Sequence, residues 1–332
     1  MISARRRLAA FAAVALTSGG LAGCADEPTP APELTGATNP FAARSLYLNP
    51  SPRLEAAALQ AASDGDSHRA EVLERIAGVP AGIWLTPEKY PPQQVGPFVN
   101  SVVSAAEADQ SLPVFVIYGV PDRDCTGGFS AGGLTPETYG PWVSEIAEAA
   151  GSTSTVILEP DAVPSLVQCG AANQRIQLLS NAVTALTTAG VTTYIDAGHS
   201  DWVPPEEIAP LLKEVGIDQV RGFATNVSNY QPERLEMEFA SRLSARLQGA
   251  HYVIDTSRNG DPNGAEQVVT DWCNPPKRSL GQQPGFVDDG TRLDALLWIK
   301  PPAESDGTCH GGPTAGEVWI ERAVDLAYTT GW

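Results

Sequence analysis

Seven times along this chain a short apolar run, rich in β-branched and aromatic residues, gives way to polar or Gly/Pro-containing sequence. The runs are Gly82–Leu85, Val114–Tyr118, Val156–Leu158, Thr192–Asp196, Arg221–Thr225, Tyr252–Asp255 and Ala295–Lys300. Most are apolar at successive positions, not only at alternate ones. That pattern marks strands covered on both faces, as in a parallel sheet. Segments of helical period stand between them, such as "SHRAEVLERIAG", "PFVNSVVSAAEAD" and "NQRIQLLSNAVTALTTAG", the last ending in the glycine that often follows a helix. Alternating strands and helices predict a parallel α/β fold. With 332 residues available, the strand count favours a closed (β/α) barrel in one domain over an open doubly wound sheet. Neither GxGxxG nor GxxxxGK[ST] follows the first run, so a nucleotide-binding sheet has no support.

A barrel of this kind gathers its active site at the C-terminal ends of its strands. Here those ends carry acids: Asp122 and Asp124, Glu159 and Asp161, Asp196 and Asp201, Asp255, and Glu304 with Asp306. One acid after one strand is an ordinary turn or cap residue. Acids after five strands of a closed barrel converge on one mouth. Two chemistries use such a ring. A metal site would need carboxylates with His ligands, but the chain has only four His and no HxH or HExxH pair. Carbohydrate cleavage needs a proton donor, a second carboxylate and aromatic platforms. Trp84, Tyr118, Trp202 and Trp272 fall at or near strand ends, while Trp298 reads as core. No metal and no cofactor is expected.

The amino terminus reads as an export segment. Arg5, Arg6 and Arg7 precede an apolar stretch too short to span a bilayer, and "LAGC" resembles the lipobox of bacterial lipoproteins. Residues 1–23 are expected to be removed and Cys24 to take a lipid, giving a surface-anchored protein; plain secretion is the alternative. Residues 24–40, rich in Pro, Thr and Ala, read as a tether, and residues 41–332 as the domain. Setting Cys24 aside leaves four of the five cysteines. That suits an oxidising compartment, but spacing alone does not choose among their three pairings. The net charge of -18 argues against nucleic acid and against anionic membrane surfaces, both of which need basic patches. Membrane contact is expected only through the lipid, and the protein is expected to be a monomer.

In order along the domain, "VIYGVPDRDC", "VILEPDAV", "YIDAGHSDW", "GFATNVSNY", "VIDTSRNG", "WCNPP" and "LLWIKPPAESDG" resemble glycoside hydrolase family 6, the cellulases that act on β-1,4-glucan. The resemblance implies a distorted seven-stranded barrel and an inverting hydrolase, in which one acid protonates the leaving oxygen while a base activates water on the opposite face. By the same resemblance Asp161 is the proton donor. Asp124 is a second carboxylate that keeps the donor protonated and relays a proton from water, Asp306 a candidate base, and Tyr118 the tyrosine below the cleaved sugar. Trp84, Asp196, His199, Trp202, Asn226, Trp272, Lys300 and Glu304 match substrate-binding positions. Glu159 is expected to support the site rather than act in it.

The resemblance also pairs Cys125 with Cys169 and Cys273 with Cys309. The short stretch between the last two cysteines resembles the open-cleft endoglucanases, so internal cleavage is expected. A cellobiohydrolase of the same family, or a glucan-binding lipoprotein of weak catalysis, are the alternatives. No carbohydrate-binding module is apparent, so tight adsorption to crystalline cellulose is not expected.

Overall fold

The computed structural model describes residues 38–332, residue 265 excepted. The export segment, Cys24 and nearly all of the tether lie outside the described residues. Asn39, read as part of the tether, is hydrogen-bonded to the domain. The Asn39 side chain accepts the Phe41 N–H at 3.0 Å and donates to the Asp294 carbonyl at 2.8 Å.

Eight strands form one sheet: β1 Ile83–Leu85, β2 Val114–Ile117, β3 Thr155–Leu158, β4 Thr192–Asp196, β5 Gly222–Thr225, β6 His251–Asp255, β7 Gly285–Phe286 and β8 Leu293–Leu297. Seven run parallel in the order β1-β2-β3-β4-β5-β6-β8, as the seven apolar runs predict, and β7 pairs antiparallel on the outer side of β8. Two residues leave no alternation to read, so β7 had no sequence signal. The ends of the sheet meet without a ladder. The Gly82 N–H donates to the Trp298 carbonyl at 2.8 Å, and the Trp84 indole N–H donates to the Ile299 carbonyl at 2.9 Å. A Cβ on residue 82 would collide with that Ile299 carbonyl, so only glycine permits the approach. The barrel is distorted because it closes through these contacts rather than through a register.

The last strand ends before Trp298, not at Lys300 as its apolar run suggests. The Ile299 and Lys300 N–H groups donate to the Asp255 carboxylate at 3.2 and 2.9 Å, so a side chain replaces the ladder. Trp298 is buried against the C-terminal helix, as a core residue.

The double burial of the strands is direct. Val114, Val116, Ile157, Tyr194, Ala224 and Val253 fill the barrel interior. Their neighbours Phe115, Ile117, Val156, Ile195, Phe223 and Ile254 face outward against the helices. Alternation therefore sorts two apolar sets, one per face.

The helices are α1 Pro52–Ser63, α2 Ser67–Ala77, α3 Val95–Ala108, α4 Pro136–Ala150, α5 Ala172–Thr188, α6 Pro205–Val215, α7 Glu233–Arg246 and α8 Ile320–Thr330. Their ends follow local chemistry. Asp66 caps α2, a Thr135/Thr138 capping box opens α4, and Gly216 closes α6 in a left-handed conformation. Each of these satisfies N–H or C=O groups that the helix leaves unpaired. Among the described residues no helix is long and apolar enough to cross a membrane.

Candidate active site

The turns that leave three strands share an unusual backbone. Asp122 and Asp124 after β2, Glu159 and Asp161 after β3, and Asn226 and Ser228 after β5 all have φ between 49 and 66°. Left-handed conformations at non-glycine residues are costly, and they persist where surrounding bonds over-determine them. Those bonds come from buried acids. The Glu159 carboxylate accepts the Gly119 N–H at 2.9 and 3.1 Å. Asp196 accepts the Asp161 N–H at 2.8 Å and the Gly198 N–H at 3.1 Å. Asp255 accepts the Ser228 and Ser257 N–H groups at 3.0 Å, besides the two at the end of β8. Each acid ends one strand and hooks the backbone of a neighbouring loop.

The acids at the barrel mouth thus divide by direction. Glu159, Asp196 and Asp255 are wholly buried struts. Asp124, Asp161 and Asp306 line a cleft of about 1210 Å³. Two expectations need correction here. Asp196 and Asn226 do not line the cleft. Asp196 is turned back onto the Asp161 and Gly198 amides, and Asn226 is spent on the Asp255 carbonyl and the Gln231 backbone. The donors that Asp196 Oδ2 meets lie behind the wall.

The remaining expected site residues share the cleft. Tyr118, Trp84, Lys300, Glu304, His199, Trp202 and Trp272 all line it. Lys300 Nζ sits 4.8 Å over the Trp84 ring and 3.3 Å from Glu304. Trp84 meets Tyr118 edge to face at 5.3 Å. Burial lowers the His199 imidazole to about 4, so it is neutral near pH 7 and can exchange hydrogen bonds with hydroxyls.

Asp161 has the electrostatics of a proton donor. Burial, then the charge of Asp124, then that of Asp306, push its carboxyl up to about 7. Desolvation and like charges both disfavour the ionised form. Around it runs a chain of hydroxyls: Tyr118 Oη lies 3.0 Å from Ser130 Oγ, which donates to Asp124 Oδ2 at 2.9 Å. The Ser130 and Gly127 N–H groups also donate to Asp124, at 2.7 and 3.1 Å. Arg123 fastens the root of this loop by donating to the Tyr118 and Ser130 carbonyls, both at 2.9 Å, and pairs with Glu88 at 2.9 Å. Burial and the charges of Asp161 and Asp124 hold the Tyr118 phenol protonated.

Asp306 differs from the other two. Its Oδ1 meets Arg258 at 2.8 Å and Ser228 Oγ at 3.4 Å, and its Oδ2 accepts from Tyr230 Oη at 2.7 Å and the Asn274 N–H at 3.0 Å. Four donors on two oxygens leave no lone pair for the proton of an attacking water.

Both disulfides form, Cys125–Cys169 and Cys273–Cys309. The first ties the Asp124 loop to the segment after Asp161, the second the Trp272 loop to the Asp306 loop. Among the described residues no group of three or more His, Cys, Asp or Glu is placed to hold a metal ion.

Ser130 and Glu236 are among the contributors that the sequence reading missed. Ser130 lies in a Gly-rich loop and carries no signal of its own. Glu236 did carry one: it shares the buried stripe of α7 with Phe239, Ala240 and Leu243, where an acid is out of place. It accepts the Ser200 N–H at 2.8 Å, and burial pushes it up to about 7.

Comparison with known proteins finds one family of glycosyl hydrolases. The sequence model of glycosyl hydrolases family 6 matches residues 41–330. Endoglucanase A of Cellulomonas fimi is 40% identical over 278 residues, covering 83% of this chain and 59% of that protein. Endoglucanase A of Thermobispora bispora is 37% identical, covering 83% of this chain and 60% of that protein. The chain therefore spans about three fifths of the length of these two relatives. The structure of the endoglucanase Cel6 from Mycobacterium tuberculosis, in complex with a methyl-cellobiosyl-4-deoxy-4-thio-β-D-cellobioside, superimposes with a TM-score of 0.81 at 37% identity. The match covers 89% of this chain and 100% of that one.

Proposed function

The chain belongs to glycosyl hydrolases family 6, and from that premise we propose that it is an inverting endo-β-1,4-glucanase with Asp161 as the proton donor. The observation that carries the proposal is the Asp161 carboxyl, raised to about 7 by burial and by Asp124 and Asp306, in a cleft flanked by Trp84, Trp202 and Trp272. A carboxyl that keeps its proton near neutral pH can give it to a glycosidic oxygen. The sugar would lie against the tryptophan faces, with Lys300, Glu304 and neutral His199 for its hydroxyls. Asp124, joined to Ser130 and Tyr118 through the hydroxyl chain, is the carboxylate placed to take up the proton of water by relay. Asp306 is saturated by its four donors, and its part is to hold Arg258 and the Ser228 turn and to lend its charge to the Asp161 carboxyl. The relatives named endoglucanases support internal cleavage. An export signal with lipidation at Cys24 would put the enzyme at the cell surface, beside polymeric substrate.

The test uses the purified protein on carboxymethylcellulose, mixed-linkage β-glucan and cellohexaose. A fast fall in viscosity for few new reducing ends is expected, with the α-anomer formed first by NMR. No hydrolysis of any of these would sink the proposal. A β-anomer would refute inversion, and cellobiose release without viscosity loss would mean end-wise action.

The dependence of kcat on pH follows from the donor. Asp161 must be protonated, so activity falls as pH rises through about 7. Asp124→Asn removes the negative charge beside it and lowers the donor's pKa. The basic limb is expected to move down by about one pH unit, alongside a loss of rate. A limb that stays in place would show that Asp124 does not tune Asp161.

A further inference from the structure

The loop that holds Asp124 is tied from within: Arg123 donates to the Ser130 carbonyl and the Gly128 N–H to the Asp124 carbonyl, both at 2.9 Å, and Ser130 Oγ joins Tyr118 to Asp124. Cys125 and Arg123 fix its root. Its tip is Gly127 and Gly128, and Gly128 has nothing within 4 Å of where a side chain would start. Yet two amides of this loop, Gly127 and Ser130, are hydrogen-bond donors to the Asp124 carboxylate. A further contact bears on this tip from outside the loop.

That contact crosses the cleft. The Phe129 ring meets the Trp272 ring edge to face, with centroids 5.8 Å apart. Both rings pack on glycine. A Cβ on Gly127 would lie 2.9 and 3.0 Å from Trp272 ring carbons, and one on Gly307 would lie 2.6 to 2.7 Å from Phe129 atoms. So Trp272 covers the backbone at Gly127, and Phe129 sits in a notch beside Asp306. Two rings and two bare backbone positions interlock across the mouth. Phe129 and Trp272 are still 40% and 39% exposed, so the pair is reachable from the cleft.

We propose that Phe129 is a positioning residue, a latch that docks between Trp272 and Gly307 and thereby holds the Gly127 and Ser130 amides on Asp124. A glucan unit stacked on Trp272 would press on the same pair and so favour the closed loop. This rests on the reading of Asp124 and Trp272 given above. The latch couples occupation of the Trp272 platform to the geometry of the second carboxylate.

The first readout needs no activity. Hydrogen exchange of the Gly127 and Ser130 amides is compared in wild type, Phe129→Ala and Phe129→Tyr. Exchange about tenfold faster or more is expected in Phe129→Ala, with Phe129→Tyr near wild type, because local opening governs exchange. Unchanged protection in Phe129→Ala overturns the latch. The second readout is steady-state kinetics on cellohexaose. Phe129→Ala is expected to lower kcat about tenfold with KM within about twofold, and Phe129→Tyr to restore kcat. In a Trp272→Ala background the further loss of kcat on adding Phe129→Ala should shrink to about twofold or less, since partners in contact are not additive. A rise in KM alone would overturn the proposal and make Phe129 a sugar platform; full additivity would overturn the pairing. If the wild type cleaves no β-1,4-glucan, the functional reading fails, and amide exchange still decides the latch.

Discussion

Asp161→Ala lowers kcat on cellohexaose by about a thousandfold or more, the range that a lost general acid commands, while KM changes little. The leaving group of a glucan is a sugar hydroxyl, a poor one unless it is protonated as the bond breaks. In this cleft Asp161 is the acid whose carboxyl burial and two like charges raise to about 7. Glu159 is no substitute, being wholly buried and bonded to the Gly119 amide. The loss should depend on the substrate. An aryl β-cellobioside with an acidic phenol leaves without help, so the variant should lose far less rate on it. Equal losses on both substrates would mean that Asp161 shapes the site rather than donating a proton. The fold should be retained, because Asp161 donates to the Asp196 carboxylate through its backbone N–H, which the substitution leaves in place.

Asp294→Ala destabilises the protein by about 3–5 kcal/mol, the cost of removing one partner from a buried ion pair. Asp294 lies at the opposite end of the barrel, at the start of β8, where the register with β6 slips between Tyr252 and Val253. The irregularity gives β8 one residue more than its partner. The Asp294 carboxylate meets Arg221 twice, at 2.9 and 2.8 Å, His251 at 2.9 Å and Tyr194 Oη at 2.6 Å. Strands β4, β6 and β8 and the residue that opens β5 therefore converge on one carboxylate. Its loss leaves the Arg221 guanidinium buried without its carboxylate.

Burial alone would raise the Asp294 pKa. The bonds from Arg221, His251 and Tyr194 outweigh that and hold it below the ordinary range. A lowered folded-state pKa stabilises above the unfolded value of about 3.9, and the stabilisation is lost as pH falls through the folded value. The difference in urea midpoint between wild type and Asp294→Ala should thus persist at pH 7 and 5 and shrink only below about 4. Activity per folded molecule should hold, since the active cleft is at the far end. A loss under about 1 kcal/mol would mean that the cluster breaks even against its desolvation.

Much of this architecture is local. Among the described residues, seven parallel strands and eight helices are written in runs of a few residues and in helical period, because double burial and amphipathic packing both act over short stretches. The acids at the strand ends are equally plain. Their directions are not. Asp161 follows β3 and Asp196 ends β4, and both match the motifs of one family. Yet one faces the cleft while the other is turned back on its neighbour's amide, 35 residues away in sequence. Likewise, Asp306 reads as a free acid until Arg258, Tyr230 and Asn274 are seen around it.

By itself the sequence determined the fold class, the mouth at which the chemistry gathers, and Asp161 and Asp124 as the acids to examine. Tertiary structure alone decided which carboxyls are struts and which are reagents, how the barrel closes at Gly82, and that Phe129 reaches Trp272. The reason is physical. Periodicity records what a residue does to its own strand or helix, whereas a carboxyl's role depends on the donors and charges within a few ångströms. At this barrel mouth those come from other strands, brought together only when the sheet curls.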